Sequence, residues 1–127
     1  MYTNTNQQIF ELSIYYANYL KFFERARTEW LRALGINQSI FLEQNIGFVV
    51  TKVVMDNKAS AKLDDLLTIT TTIKQLKSAS VVFLQQIVNQ HEITLCTVEI
   101  KVACVDLSVV KPCIIPKSIL GALKRVS

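Results

Sequence analysis

The spacing of hydrophobic positions changes once along the chain. Across residues 14–35 the apolar side chains Tyr16, Tyr19, Leu20, Phe23, Ala26, Trp30, Ala33 and Leu34 recur three and four residues apart, the signature of one buried helical face. Lys21, Glu24, Arg25 and Arg32 fill much of the opposite side. The pattern predicts a helix of about 18 residues, roughly 27 Å long, stopped by Gly35. Residues 36–44 read as a short turn or helical piece capped by Asn37. From residue 46 the period becomes extended, with strands expected over 46–55, 66–73, 80–88 and 93–105. Asn89-Gln90-His91-Glu92 reads as the hairpin turn between the last two. A weak first strand over 8–12 and a terminal helix over 116–125, with Pro116 at its start and Lys124 and Arg125 at its end, complete the set. Consecutive strands without intervening helices favour an antiparallel sheet. A long helix followed by such a meander asks that sheet to curl around the helix, an α+β fold.

Composition narrows the class. Half of the 127 residues are hydrophobic, with only 3 Gly and 2 Pro, as expected of one regular domain spanning 1–127. No apolar run approaches the ~20 residues that cross a bilayer, and residues 1–8 are polar and uncharged, unlike a leader. The expectation is a cytoplasmic protein without a transmembrane segment. Net charge is +4, yet the basic residues are scattered and no aromatic-interleaved stripe appears. That argues against a nucleic-acid partner and leaves a few lysines to meet phosphates. Cys96, Cys104 and Cys113 are odd in number, widely spaced and set in apolar context, so buried reduced thiols are expected rather than a disulfide framework. No metal site is expected with a single histidine, His91, in a turn. One helix on one sheet leaves apolar surface uncovered, which favours a homo-oligomer.

Particular residues go further. The run Tyr16-Ala17-Asn18-Tyr19-Leu20, then Phe23-Glu24-Arg25-Ala26-Arg27-Thr28-Glu29, closely resembles the central helix of the YbgC-like acyl-CoA thioesterases, relatives of 4-hydroxybenzoyl-CoA thioesterase. Gly47-Phe48-Val49-Val50, Leu63-Asp64-Asp65, Cys104-Val105-Asp106, Lys111-Pro112 and Pro116-Lys117-Ser118 extend the likeness in order, over about residues 14–120. The resemblance implies the hotdog fold, a long central helix wrapped by a curved antiparallel β-sheet, with residues 1–13 a divergent N-terminal segment. It implies a homodimer or homotetramer with sites at the shared interface. The substrate would be an acyl-CoA thioester of short or medium acyl chain, with acyl carrier protein as another carrier. No separate cofactor is expected, since coenzyme A is part of the substrate. The alternative is a catalytically impaired hotdog protein that binds such thioesters.

The family motif before the helix, D-x-x-G-x-V-Y-[HY]-x-x-Y, is kept only in its second half, Ile14-Tyr15-Tyr16-Ala17-Asn18-Tyr19. Counted without gaps, the catalytic aspartate slot holds Ile9 and the glycine slot Leu12; no aspartate precedes Asp56. By resemblance the backbone N–H of Tyr16 is the oxyanion donor, a role suited to the unpaired N–H groups of a helix start. Glu11 is the nearest carboxylate and the candidate substitute, five residues from Tyr16 where the family has seven; the plain alternative is a solvated strand-end glutamate. Glu24 is a second candidate carboxylate, otherwise an interface ion pair, and Asp64 and Asp65 read as turn and interface residues. Tyr15, Tyr19, Ser78, Ser80, Lys62 and Lys77 are the candidate substrate-binding residues, with Lys58 and Lys111 as further candidates for the coenzyme phosphates.

Overall fold

In a computed structural model of the chain, the residues described are 6–11, 19–59 and 65–127. The backbone changes character where the hydrophobic period does. Strand β1 (Asn6–Glu11) comes first, then helix α1 (Tyr19–Ala33) and the short α2 (Gln38–Glu43). Four long strands follow, β2 (Ile46–Asn57), β3 (Leu66–Leu76), β4 (Ser80–Val88) and β5 (Thr94–Asp106). The two-residue β6 (Lys111–Pro112) and helix α3 (Lys117–Val126) close the chain. The strands form one antiparallel sheet in the order β1-β3-β4-β5-β2, with β6 on the end of β5.

Alternation in β4 is strict: Val81, Phe83, Gln85 and Ile87 are buried while the residues between them are half-exposed. That inner face meets α1. Phe23 and Ala26 pack with Leu67, Ile69, Ile87, Val98 and Ile100. One turn on, Trp30 meets Phe83 edge-on, ring centroids 5.7 Å apart. Full burial of a side chain such as Phe23 contributes about 1.5–3 kcal/mol. This helix-on-sheet arrangement is the expected hotdog fold.

Boundaries differ from the periodicity where the sheet is irregular. A register shift between Ile73 and Gln75 makes Lys74 a bulge residue, which breaks the alternation at residue 73 although β3 runs on to Leu76. A second shift leaves Leu95 without a cross-strand partner, so Leu95 and Cys96 are both buried despite being neighbours. The Leu95 carbonyl instead accepts from the N–H groups of Lys58 and Ala59, at 2.9 and 3.1 Å. β1 begins two residues earlier than expected. Ala33, placed on the buried helix face by its spacing, is exposed, while its neighbour Leu34 packs against the core. The first five residues of the predicted helix lie outside the described residues.

Gly35 ends α1 as expected, at φ +84°. Its N–H bonds to the Arg32 carbonyl at 3.0 Å, and the Ile36 N–H reaches back to Leu31 at 3.0 Å, the paired bonds of a Schellman motif. Ile36 and Leu31 lie in one cluster. Asn37 then caps α2, its Oδ1 accepting from the Ser39 N–H at 3.1 Å. A Cβ at Gly35 would meet nothing within 4 Å, so Gly35→Ala is opposed by backbone conformation alone. The expected loss is about 1 kcal/mol, read as a lower urea midpoint with unchanged slope.

Candidate functional site

Helix α1 has a direction relative to the sheet. Phe23, near its start, packs on residues at the beginning of β3, while Trp30 packs with Val81, Phe83 and Val126. The N-terminal end of α1 therefore lies over the start of β3. β1 finishes at the same end, with Glu11 in register with Leu66 and Ile9 with Thr68. Asp65 stands there too, 7% exposed. Gln90 Nε2 donates to Asp65 Oδ1 at 3.0 Å, and Gln90 Oε1 accepts the Leu66 N–H at 3.1 Å. A helix start, a strand-end glutamate and a buried aspartate thus share one end of the sheet. A carboxylate at such an end can accept a proton.

Tyr19 is the first described residue of α1; Tyr15, Tyr16, Lys62 and Asp64 lie outside the described residues. Lys77, Ser78 and Ser80 come together in the β3–β4 turn. The Lys77 N–H donates to the Ser80 carbonyl at 2.8 Å, and the Ser78 carbonyl accepts from Ile115 at 2.8 Å. This turn is at the far end of β3 from Glu11. The 11 residues of β3 span roughly 33 Å at ~3.3 Å per residue. One chain therefore separates the candidate carboxylate from the candidate coenzyme-binding turn.

A cleft of about 140 Å³ opens between α1, the sheet and α3, with Glu24, Arg27 and Thr28 on one wall and Phe48, Val50, Ile119 and Leu123 on others. Arg27 Nη1 donates to Gln85 Oε1 at 2.9 Å. Gln85 is fully buried, and its Nε2 donates to the Phe23 carbonyl and to Thr71 Oγ1, both at 3.0 Å. Burial pushes the Arg27 pKa down and the nearby Glu24 carboxylate opposes it. The sequence reading did not single out Gln85. In sequence it is one of two adjacent glutamines in an apolar run, and only the structure shows that it shares the inner face with Val81, Phe83 and Ile87.

On the outer sheet face Lys52, Lys74 and Lys101 surround Glu99, and Lys74 pairs with it. Lys58, Lys77 and Lys111 are exposed but stand outside this group. His91 is an exposed turn residue, its N–H donating to Asn89 Oδ1 at 2.9 Å. All three cysteines are free. Cys96 and Cys104 are buried, whereas Cys113 is only half-buried and its Sγ lies 3.4 Å from that of Cys104, a pairing their sequence spacing concealed. Among the described residues no three His, Cys, Asp or Glu side chains are grouped to hold a metal ion, and no helix is long and apolar enough to cross a membrane.

A model of the thioesterase-like superfamily matches residues 10–123. The acyl-CoA thioesterase YbgC of Haemophilus influenzae is 44% identical over 114 residues, covering 89% of this chain and 83% of that protein. A probable thioesterase from Bartonella henselae superposes with a TM-score of 0.77 at 30% identity, covering 88% of this chain and 99% of the other. A 1,4-dihydroxy-2-naphthoyl-CoA thioesterase from Synechocystis superposes with a TM-score of 0.86 at 16% identity, over 94% and 96% of the two chains; at that identity the likeness is one of fold.

Proposed function

Because the chain belongs to the thioesterase-like superfamily, we propose that it hydrolyses acyl-CoA thioesters to a carboxylic acid and coenzyme A. The observation that carries this reading is the 44% identity to an acyl-CoA thioesterase across 89% of the chain. In the proposed reaction a water adds to the thioester carbonyl and the Tyr16 N–H holds the oxyanion. The Glu11 carboxylate takes the water proton, and the coenzyme thiolate leaves and is protonated. Tyr15 and Tyr19 flank the acyl group, short or medium in length. Lys62, Lys77, Ser78 and Ser80 meet the coenzyme.

The roughly 33 Å between Glu11 and the Lys77–Ser80 turn is resolved in a homodimer. β2 is an edge strand, and Val49, Val50, Val53 and Val54 are 42–49% exposed along it. An open apolar edge of this length is a template for strand pairing. Joining two β2 strands antiparallel about a two-fold axis normal to the sheet turns the partner end for end. The α1 start of one subunit then shares an end of the joined sheet with the Lys77–Ser80 turn of the other. Pairs of dimers, delivery by acyl carrier protein and a cytoplasmic location belong to the same reading.

The test is free-thiol release from a panel of acyl-CoA esters by the unaltered chain and by Glu11→Gln. Glu11→Gln should lower kcat at least about 100-fold with little change in KM. Acyl-CoA bound but never hydrolysed by the unaltered chain would replace the enzyme with a binding protein. An unimpaired Glu11→Gln would remove Glu11 from the mechanism and direct attention to Asp65.

A further inference from the structure

We infer that Cys104 and Cys113 form a thiol–disulfide exchange site, oxidised by low-molecular-weight disulfides to a cross-strand bond that closes the β5–β6 hairpin. The two Sγ atoms are 3.4 Å apart. The pairs Val105↔Pro112 and Asp106↔Lys111 extend by one step to Cys104 opposite Cys113, where the Cys113 N–H donates to the Cys104 carbonyl at 2.9 Å. Directly opposed antiparallel residues have Cα atoms about 4.5–5.5 Å apart, inside the ~4.4–6.8 Å range that a disulfide spans. Cys96 packs in a different cluster from Cys104 and serves as an internal control.

The two thiols are unequal in a way that orders the chemistry. Cys113 is half-exposed, while Cys104 is fully buried. Burial first, and then the Cys113 thiol beside it, push the Cys104 pKa up to about 12. Cys113 is therefore the attacking group. Its thiolate displaces one thiolate from the small disulfide and forms a mixed disulfide. Cys104 then loses its proton, its sulfur attacks the Cys113 sulfur, and the second small thiol departs. Two protein thiols and one small disulfide become one protein disulfide and two small thiols, with both electrons passing to the small disulfide. Once Cys113 is in the mixed disulfide its thiol no longer opposes ionisation of Cys104, which favours the second step.

The bond would fasten more than the hairpin. β6 leads through buried Ile115 into α3, whose Ile119 and Leu123 pack in the cluster of Cys104 and line the cleft beside Arg27. The inference rests on the placement and exposure of the two thiols and stands apart from the thioesterase reading. The experiment is incubation of the folded chain with glutathione disulfide, followed by intact mass, thiol counting and peptide mapping without reduction. The expected result is loss of two of the three thiols, a Cys104–Cys113 cross-link, unreacted Cys96 and a higher melting temperature, all reversed by dithiothreitol and absent in Cys113→Ser. A lasting mixed disulfide on Cys113 beside a free Cys104 would overturn the inference, as would a cross-link that uses Cys96 or joins two chains.

Discussion

Gln85→Leu should lower the stability of the fold by about 3 kcal/mol, although the two side chains are similar in size. A hydrogen bond to a charged group is worth about 1.5–3 kcal/mol and a neutral one about 1 kcal/mol. Leucine removes the acceptor of Arg27 and the donor to Thr71 together. The Phe23 carbonyl is the less affected partner, since it lies four residues before Arg27 within α1. The loss is therefore expected to come mainly from a part-buried guanidinium left without its acceptor. A double variant, Arg27→Met with Gln85→Leu, should recover at least about 1 kcal/mol of it, because an apolar pair leaves no unpaired charge at the helix–sheet contact. Urea unfolding of the four proteins in the cycle measures this directly. A single Gln85→Leu within about 0.5 kcal/mol of the unaltered chain would show that the network is incidental.

Val53→Lys should convert the protein to monomers and reduce thioester hydrolysis at least about 100-fold, the scale set by misplacing catalytic groups by an ångström or more. Val53 is opposite Ile100 on the inner face of the edge strand and is 42% exposed, so lysine there has little effect on the subunit itself. A charge on the edge opposes strand addition. Light scattering after size exclusion gives the assembly, and circular dichroism checks that the subunit remains folded. Full activity from a Val53→Lys monomer would mean that one chain holds a complete site and that β2 pairing has no catalytic role.

Much of this architecture was legible because local signals agreed with one another. Phe23, Ala26 and Trp30 announced their helical face by spacing, Gly35 its termination by the need for positive φ, and Asn37 its cap by a short oxygen side chain. Residues 80–88 are rich in Val, Phe, Leu and Ile, and the predicted β4 bounds were met. Spacing failed where a backbone irregularity intervened, as at Lys74 and Leu95, since a bulge shifts the faces without leaving a composition signal. It failed again at Ala33, which keeps the helical period in sequence yet is exposed beside the packed Leu34.

The site was less legible than the fold because its pieces are distant in sequence. Cys104 and Cys113 look unrelated until a reversing turn stacks them. Arg27 and Gln85 meet only when a helix crosses a strand. Asp65 reads as a turn residue until Gln90, from another strand connection, covers it. Glu11 and Ser78 both lie in the expected fold, yet the length of β3 holds them apart. No local pattern reports that distance.

The sheet order also sets a schedule for synthesis. β3, β4 and β5 are neighbours both in sequence and in the sheet, so they can zip together as they emerge. β2 cannot, because Val53 waits for Ile100. At about 5–20 residues per second, a ribosome keeps that valine-rich strand without its partner for roughly 2–10 s. During that interval both of its edges are open, and other nascent chains present the same segment. Expression level and chaperone supply should therefore govern the yield of this protein more than the stability of its finished fold, with β2 as the segment through which newly made chains aggregate.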